Sequence, residues 1–250
     1  MRDFKEAFEK TRLAGSIAAG ALDEVSKIVK PGISTNEIDK LCYEYINDHQ
    51  AYSAPLFYRG FPKSCCTSAN HVVCHGIPSD KILKDGDIVN VDVTAFKNGW
   101  HGDTSRMFKI GKVSIKAEKL INSTYEAMMK AISIVKDNVH LGDIGSTIQK
   151  HVEAEGFSVV QDFCGHGIGE AFHKEPNILH YGEKGSGEKI KTGMIFTIEP
   201  MINIGKYETK ILNDGWTAVS KDKSLSAQFE HTIGVTNDGC EVFTQSNNTN

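Results

Sequence analysis

No run of this sequence approaches the roughly 18 consecutive apolar residues of a membrane-spanning helix. The amino-terminal MRDFKEAFEK carries charges where a secretion signal needs an apolar core. Cysteine is sparse, six residues with no CxxC pair, and a chain of 250 residues does not need disulfide staples, so reduced thiols are expected. Nor is there an excess of positive charge. Lys plus Arg at 28 against Asp plus Glu at 32 gives a net charge of -4, which argues against a protein that grips nucleic-acid phosphates. What is present, 40% hydrophobic and 24% charged residues, suits a compact globule in the cytoplasm without membrane contact. The length sits between one large domain and a fused pair of similar halves.

The helical pattern favours the pair. Leu13, Ile17, Ala21, Val25 and Ile28 fall at three- and four-residue steps, which predicts a helix over 11–30 ended by Pro31-Gly32. Ser34 with Glu37 fits a capping box for a second helix, whose stripe runs through Ile38, Leu41, Tyr45 and Ile46 to about His49. From 53 to 80 prolines and glycines predict irregular chain, before a strand in DIVNVDVTAF. The plan recurs downstream: IVK at 28–30 matches IVK at 134–136, Ile33 and Ile38 match Val139 and Ile144, and His75-Gly76-Ile77 resembles His166-Gly167-Ile168. KDGDIVNVD (84–92) then aligns with KTGMIFTIE (191–199), setting Asp92 against Glu199. Two such halves, about 11–110 and 117–244, predict an α+β fold: helices outside a curved, mainly antiparallel sheet, with the inner face left for a site. Residues 245–250 read as a polar tail.

Strand periodicity places the acids. Val89, Val91, Val93 and Ala95 share one face, and Asn90, Asp92 and Thr94 the other. Asn98-Gly99 signals a two-residue hairpin, whose register pairs Thr94 with Asp103 and leaves Asp103 diagonal to Asp92, about 7 to 8 Å away. Glu199 follows Ile195 and Thr197 by the same alternation, and Glu230 opposes Phe229 and His231, with Asp238-Gly239 turning the chain back. Each acid taken alone could simply face solvent. Together on one concave face, four carboxylates need protons or two divalent cations. His166 in CGHGIG adds one imidazole, and that mixture suits Mn, Fe, Co or Zn. Lone histidines are more often structural than ligating, yet His75, His166 and His173 all lie in loop-like segments, whereas His180 reads as structural. Cys65-Cys66 with Cys74 would make awkward tetrahedral geometry for a soft metal.

CHGIP, VDV followed by DTSRMF, GHGIGEAFH, FTIEP and QFEHT together resemble the type I methionine aminopeptidases, from the first helix to about Thr244. The resemblance implies the pita-bread fold in one catalytic domain over 1–250. It also implies two divalent metal ions held by Asp92, Asp103, His166, Glu199 and Glu230, Asp103 and Glu230 bridging. His75 and His173 become catalytic residues touching substrate, and Glu199 a proton relay. Tyr58, Phe61, Cys66, Phe172 and Trp216 become the methionine pocket, Phe61 standing where a tyrosine is frequent. Asn70, Val72 and Ser226 fall at the family's monovalent-cation site.

The implied activity is removal of the initiator methionine from nascent chains whose second residue is small, at the ribosome, by a monomer. The chain opens directly on the catalytic core without a zinc-finger extension, and 31 positions from Glu199 to Glu230 leave no room for the type II insert, which implies a bacterial or organellar type. Aminopeptidase P and prolidase share the ligand set but resemble longer chains. A pita-bread module that only binds protein or nucleic acid is the alternative from another class, and it would not require every ligand.

Overall fold

The computed structural model describes residues 4–246; beyond 246 the expected tail lies outside the described residues. The order is α1 (Phe4–Ile28), α2 (Thr35–Asp48), β1 (Tyr52–Ser53), β2 (Cys66–Ala69), β3 (Val72–Cys74), β4 (Ile88–Lys97) and β5 (Trp100–Lys109). Next come α3 (Ile115–Ser133), α4 (Leu141–Ala154), β6 (Ser158–Val159), β7 (Gly165–Gly167), β8 (Lys174–Ile178) and β9 (Ile195–Ile198). The chain continues through β10 (Met201–Asn203), β11 (Thr209–Ile211), β12 (Ala218–Ser220), β13 (Ser226–Gln228), β14 (Glu230–Val235) and β15 (Cys240–Val242). Among the described residues no helix is long and apolar enough to cross a membrane.

A nine-stranded sheet runs β1-β4-β5-β14-β9-β7-β8, with β2 also on β4 and β15 on β14. Its pairings are antiparallel. The two halves meet at the β5–β14 junction, where Ser105 faces Glu230 and Thr104 faces His231, and β2-β4-β5 on one side answers β7-β9-β14 on the other. On one side Val89, Val91, Val93 and Ala95 of β4 bury against Ile17, Leu22 and Val25 of α1 and Ile38 and Ile46 of α2. On the other, Phe196, Ile198 and Ile233 bury against Leu120 and Met128 of α3 and Ile144 and Ile148 of α4. Helices therefore cover one face of the sheet, and the polar side chains of the same strands line the other. This is the expected pita-bread α+β arrangement.

The helix pairs repeat closely: α2 and α4 are both 14 residues long, and each opens on a capping box, Ser34 with Glu37 and His140 with Asp143. Leu83 donates its N–H to the Ile33 carbonyl just as Ile190 donates to Val139. The histidine strings do not repeat in the same way. Ala69 on β2 pairs with Val89 of β4, whereas Gly167 on β7 pairs with Phe196 of β9. Ser68, not His75, thus takes the place in the first half that His166 takes in the second.

Three further expectations give way. The first helix begins at Phe4 rather than 11, and Leu13 is exposed, because small Ala14, Ala18 and Ala21 form the face that meets the sheet. That contact is close: a Cβ on Gly102 of β5 would collide with the backbone of Gly15 in α1. In α2 the buried stripe is Ile38, Cys42 and Ile46, with Leu41 and Tyr45 at its edges. The irregular 53–80 stretch contains β2 and β3, too short and too close to proline and glycine to show alternation.

Candidate active site

The predicted hairpin register is the observed one: Lys97 pairs with Trp100, Thr94 with Asp103 and Asp92 with Ser105. Asp92 and Asp103 thereby share the inner face, and the β5–β14 pairing brings Glu230 beside them. Glu199 sits just past β9, and His166 reaches in from β7, its Nε2 3.5 Å from Glu199 Oε1 and 3.9 Å from Asp103 Oδ2. One donor atom each from Asp103, His166 and Glu230 lies within 4.8 Å of the others. All five line a cavity of about 360 Å³.

Partners aim these side chains. Thr94 Oγ1 donates to Asp103 Oδ1 at 2.7 Å, and Thr197 Oγ1 to Glu199 Oε1 at 2.7 Å. Gln228 Nε2 donates to Glu199 Oε2 at 3.3 Å. His180, read from sequence as structural, is buried behind Glu199 and its Nε2 accepts the Glu199 N–H at 3.2 Å. His75 follows β3 with φ +56, a left-handed conformation sustained because a Cβ on the next residue, Gly76, would strike the Thr67 backbone of β2. Its side chain joins the cavity, T-shaped to Phe163 at 5.5 Å and to Trp216 at 6.1 Å.

The remaining wall is aromatic and sulfur-bearing. Tyr58 and Phe172 lie 4.9 Å apart, and Phe61 meets Trp216 edge-on at 5.2 Å. Cys66 is buried beside them. At the mouth His173 Nδ1 lies 3.0 Å from the Tyr58 hydroxyl. The structure thus brings all twelve sequence-derived ligand, catalytic and pocket positions to one cavity. Asn70, Val72 and Ser226 lie outside its lining; Ser226 donates its N–H to the Asn70 carbonyl at 2.9 Å, and its Oγ is buried without a partner.

Sequence reasoning missed Pro55, Arg59, Phe163, Cys164 and Met201, which also line the cavity. They sit in loops or very short strands where no periodicity reports an inner face. Thr94 and Thr197 were legible, each sharing the acids' face by period two.

Burial in this cleft penalises charge. It pushes the Asp92 carboxyl up to about 7, against a hydrogen bond from Asp103, and Glu199 up to about 8. Asp103 is raised well above its usual range by burial and then by Asp92 and Glu199, and Glu230 by burial and then by Asp103, Glu199 and Asp92. His166 falls to about 4, mainly by burial, and stays neutral. His173 shifts down too, first by partial burial and then by nearby His166 and His75.

Three buried carboxyls and the half-buried Asp92 around one neutral imidazole fit divalent cations, which would replace the protons. Glu230 Oε1 bears this out: it is buried without any hydrogen-bond partner.

Residues 9–237 match the model of metallopeptidase family M24. The chain belongs to metallopeptidase family M24. Within M24 it is 58% identical over 240 residues to the methionine aminopeptidase of Rickettsia prowazekii, across 96% of this chain and 93% of that one. It is 56% identical over 241 residues to that of Escherichia coli K12, across 96% and 91%. The crystal structure of the Rickettsia prowazekii enzyme superposes with a TM-score of 0.95 at 57% identity, covering 96% of this chain and 98% of that one. Prolidase from Pyrococcus furiosus shares the fold at a TM-score of 0.78 and 22% identity, and the M24 chain spans 65% of its length. This M24 member is therefore a metallopeptidase, a hydrolase that uses divalent metal, and its relatives at high identity are methionine aminopeptidases.

Proposed function

We propose that this enzyme removes amino-terminal methionine from peptides and nascent proteins whose second residue is small, using two divalent cations of Mn, Fe, Co or Zn type. The observation that carries the reading is a single cavity in which five metal-type donors adjoin a dry aromatic and thiol wall. Asp92, Asp103, His166, Glu199 and Glu230 would hold the ions. When bound, the ions supply Lewis-acid polarisation of the first peptide carbonyl and lower the pKa of a water.

The protein does the rest. Tyr58, Phe61, Cys66, Phe172 and Trp216 take the methionine side chain, whose flexible thioether gains contact with rings and thiol that a shorter side chain cannot. Glu199, aimed by Thr197 and Gln228, takes a proton from the attacking water and passes it to the leaving amine. In this reading the Tyr58 hydroxyl, 3.0 Å from His173 Nδ1, is the donor of that pair. That leaves Nε2–H to donate to the carbonyl oxygen as it becomes negative, a contact worth most in the transition state. His75, held by its strained backbone against Trp216, contacts the substrate from the opposite wall.

At the second site, the buried Ser226 Oγ without a partner supports a monovalent cation near Asn70, Val72 and Ser226. The nascent chain at the ribosome is the expected source of substrate, in the cytoplasm, with the enzyme a monomer. Metal-loaded protein should release methionine from Met-Ala-Ser much faster than it releases leucine from Leu-Ala-Ser, and should leave an Xaa-Pro dipeptide intact. Efficient cleavage of Xaa-Pro in preference to Met-Ala-Ser would instead make it a prolidase-type enzyme.

A further inference from the structure

His101, second residue of β5, is not among the residues that line the cavity, yet it holds the segment that carries His173. Its backbone N–H and its ring Nδ1 both reach the Gly169 carbonyl, at 2.9 Å and 2.8 Å. A carbonyl only accepts, so Nδ1 carries the proton and the tautomer is fixed. The ring stacks on Phe172 at 5.4 Å and 10°, and Phe96 of the same hairpin lies 4.6 Å from it, tilted by 44°. Phe172 in turn lies 4.1 Å from His173.

The segment needs such a grip. Gly169 to His173 contains neither helix nor strand. Beyond His101, it is held by the local Gly169 N–H to Ala171 carbonyl bond at 3.1 Å and, from the far side, by Tyr58. Tyr58 itself sits between Phe57 and Arg59, both at positive φ, at the start of a short 3-10 turn.

We propose that His101 is a positioning residue for His173: it pins Gly169 and Phe172 to the β4–β5 hairpin, so the strand that carries Asp103 also sets the place of the substrate-contacting histidine. The inference rests on the role given to His173 above. Loss of the grip should displace the His173 ring without touching substrate, and displacements of about 1 Å cost up to about 100-fold in rate.

The test is steady-state hydrolysis of Met-Ala-Ser by metal-loaded protein, with bound metal measured, for His101→Ala, His101→Asn and His101→Gln, alone and combined with His173→Ala. Hydrogen exchange of the 169–173 amides is followed in parallel. His101→Ala should lower kcat about 10- to 100-fold with a smaller change in KM and with metal retained. Asn, whose side-chain N–H stands near the Nδ1 position, should recover most of the loss; Gln, which places it near Nε2, should not. On top of His173→Ala the His101 change should cost no more than about 2-fold, because both act through one contact. Exchange at 169–173 should speed up in Ala and Gln and recover in Asn.

Equal losses with and without His173, no loss in His101→Ala, or loss of metal in the Asn variant would overturn the proposal. Should His101→Ala not fold, the Asn and Gln comparison decides alone. If the unaltered protein releases no methionine, the functional reading fails, and the exchange pattern still decides whether His101 holds the segment.

Discussion

His173 Nδ1 lies 3.0 Å from the Tyr58 hydroxyl, which ties the His173 ring to the aromatic wall of the cavity. In the proposed function, recognition of the side chain and stabilisation of the oxyanion share this one contact. Tyr58→Phe keeps the ring and removes the hydroxyl, and should lower kcat several-fold with metal content unchanged. Steady-state kinetics check this; a change confined to KM would mean that Tyr58 serves only the pocket.

His166 and His173 lie with ring centroids 4.2 Å apart, and the proposed function gives them different work. His166→Ala removes a ligand and should weaken metal binding, with part of the activity returning at high cation concentration. His173→Ala should keep both metals and lose about 100-fold in kcat, about 2.7 kcal/mol of transition-state stabilisation. Metal titrations followed by activity separate the two; rescue of His173→Ala by added cation would make it a ligand.

Stability should depend on pH in opposite senses with and without metal. Folded Asp92 and Glu199 titrate at about 7 and about 8, well above the roughly 4 of an unfolded carboxyl. The metal-free folded state therefore binds more protons, and this contribution is full below about pH 4 and lost as pH rises through 7 to 8. His166 and His180, depressed to about 4 and about 3, contribute above about pH 6.5 and lose it as pH falls through those values. From about pH 7.5 to 8.5 the histidines are neutral in both states and the carboxyl effect still changes, so Tm of metal-free protein should fall. With bound cations the protons are displaced and Tm should hold or rise over the same range. Calorimetry with and without chelator reads both slopes.

Gly102 meets the backbone of Gly15 where α1 crosses β5. Gly102→Ala should cost about 1–3 kcal/mol, a fall of several degrees in Tm. Gly239→Ala, where a Cβ meets nothing within 4 Å, should leave Tm nearly unchanged. Equal Tm values for the two would contradict the close helix–sheet contact.

The parts of the site on long strands were legible in the sequence. Alternation in β4 and the Asn98-Gly99 turn are local properties, and they place Asp92, Thr94 and Asp103 without any tertiary information. The capping boxes and the equal lengths of α2 and α4 likewise record a repeat that survives in local chemistry. His75 and His166 misled because a glycine-flanked histidine has no register of its own; only sheet pairing reveals that Ser68 occupies the place equivalent to His166. Leu13 misled because a helix face lined with alanines carries little hydropathy signal. His101 and His180 act through one carbonyl and one N–H far away in sequence, and no spacing rule connects them.

The most direct test titrates Mn(II) or Co(II) into metal-free protein while free methionine released from Met-Ala-Ser is measured alongside bound metal. No release without cation, activity rising with loading, and a Glu199→Gln variant of low kcat are the results predicted here. Methionine release that persists undiminished under excess chelator, or fully loaded protein that releases none, would contradict the assignment of this cavity as a metal-dependent methionine-removing centre.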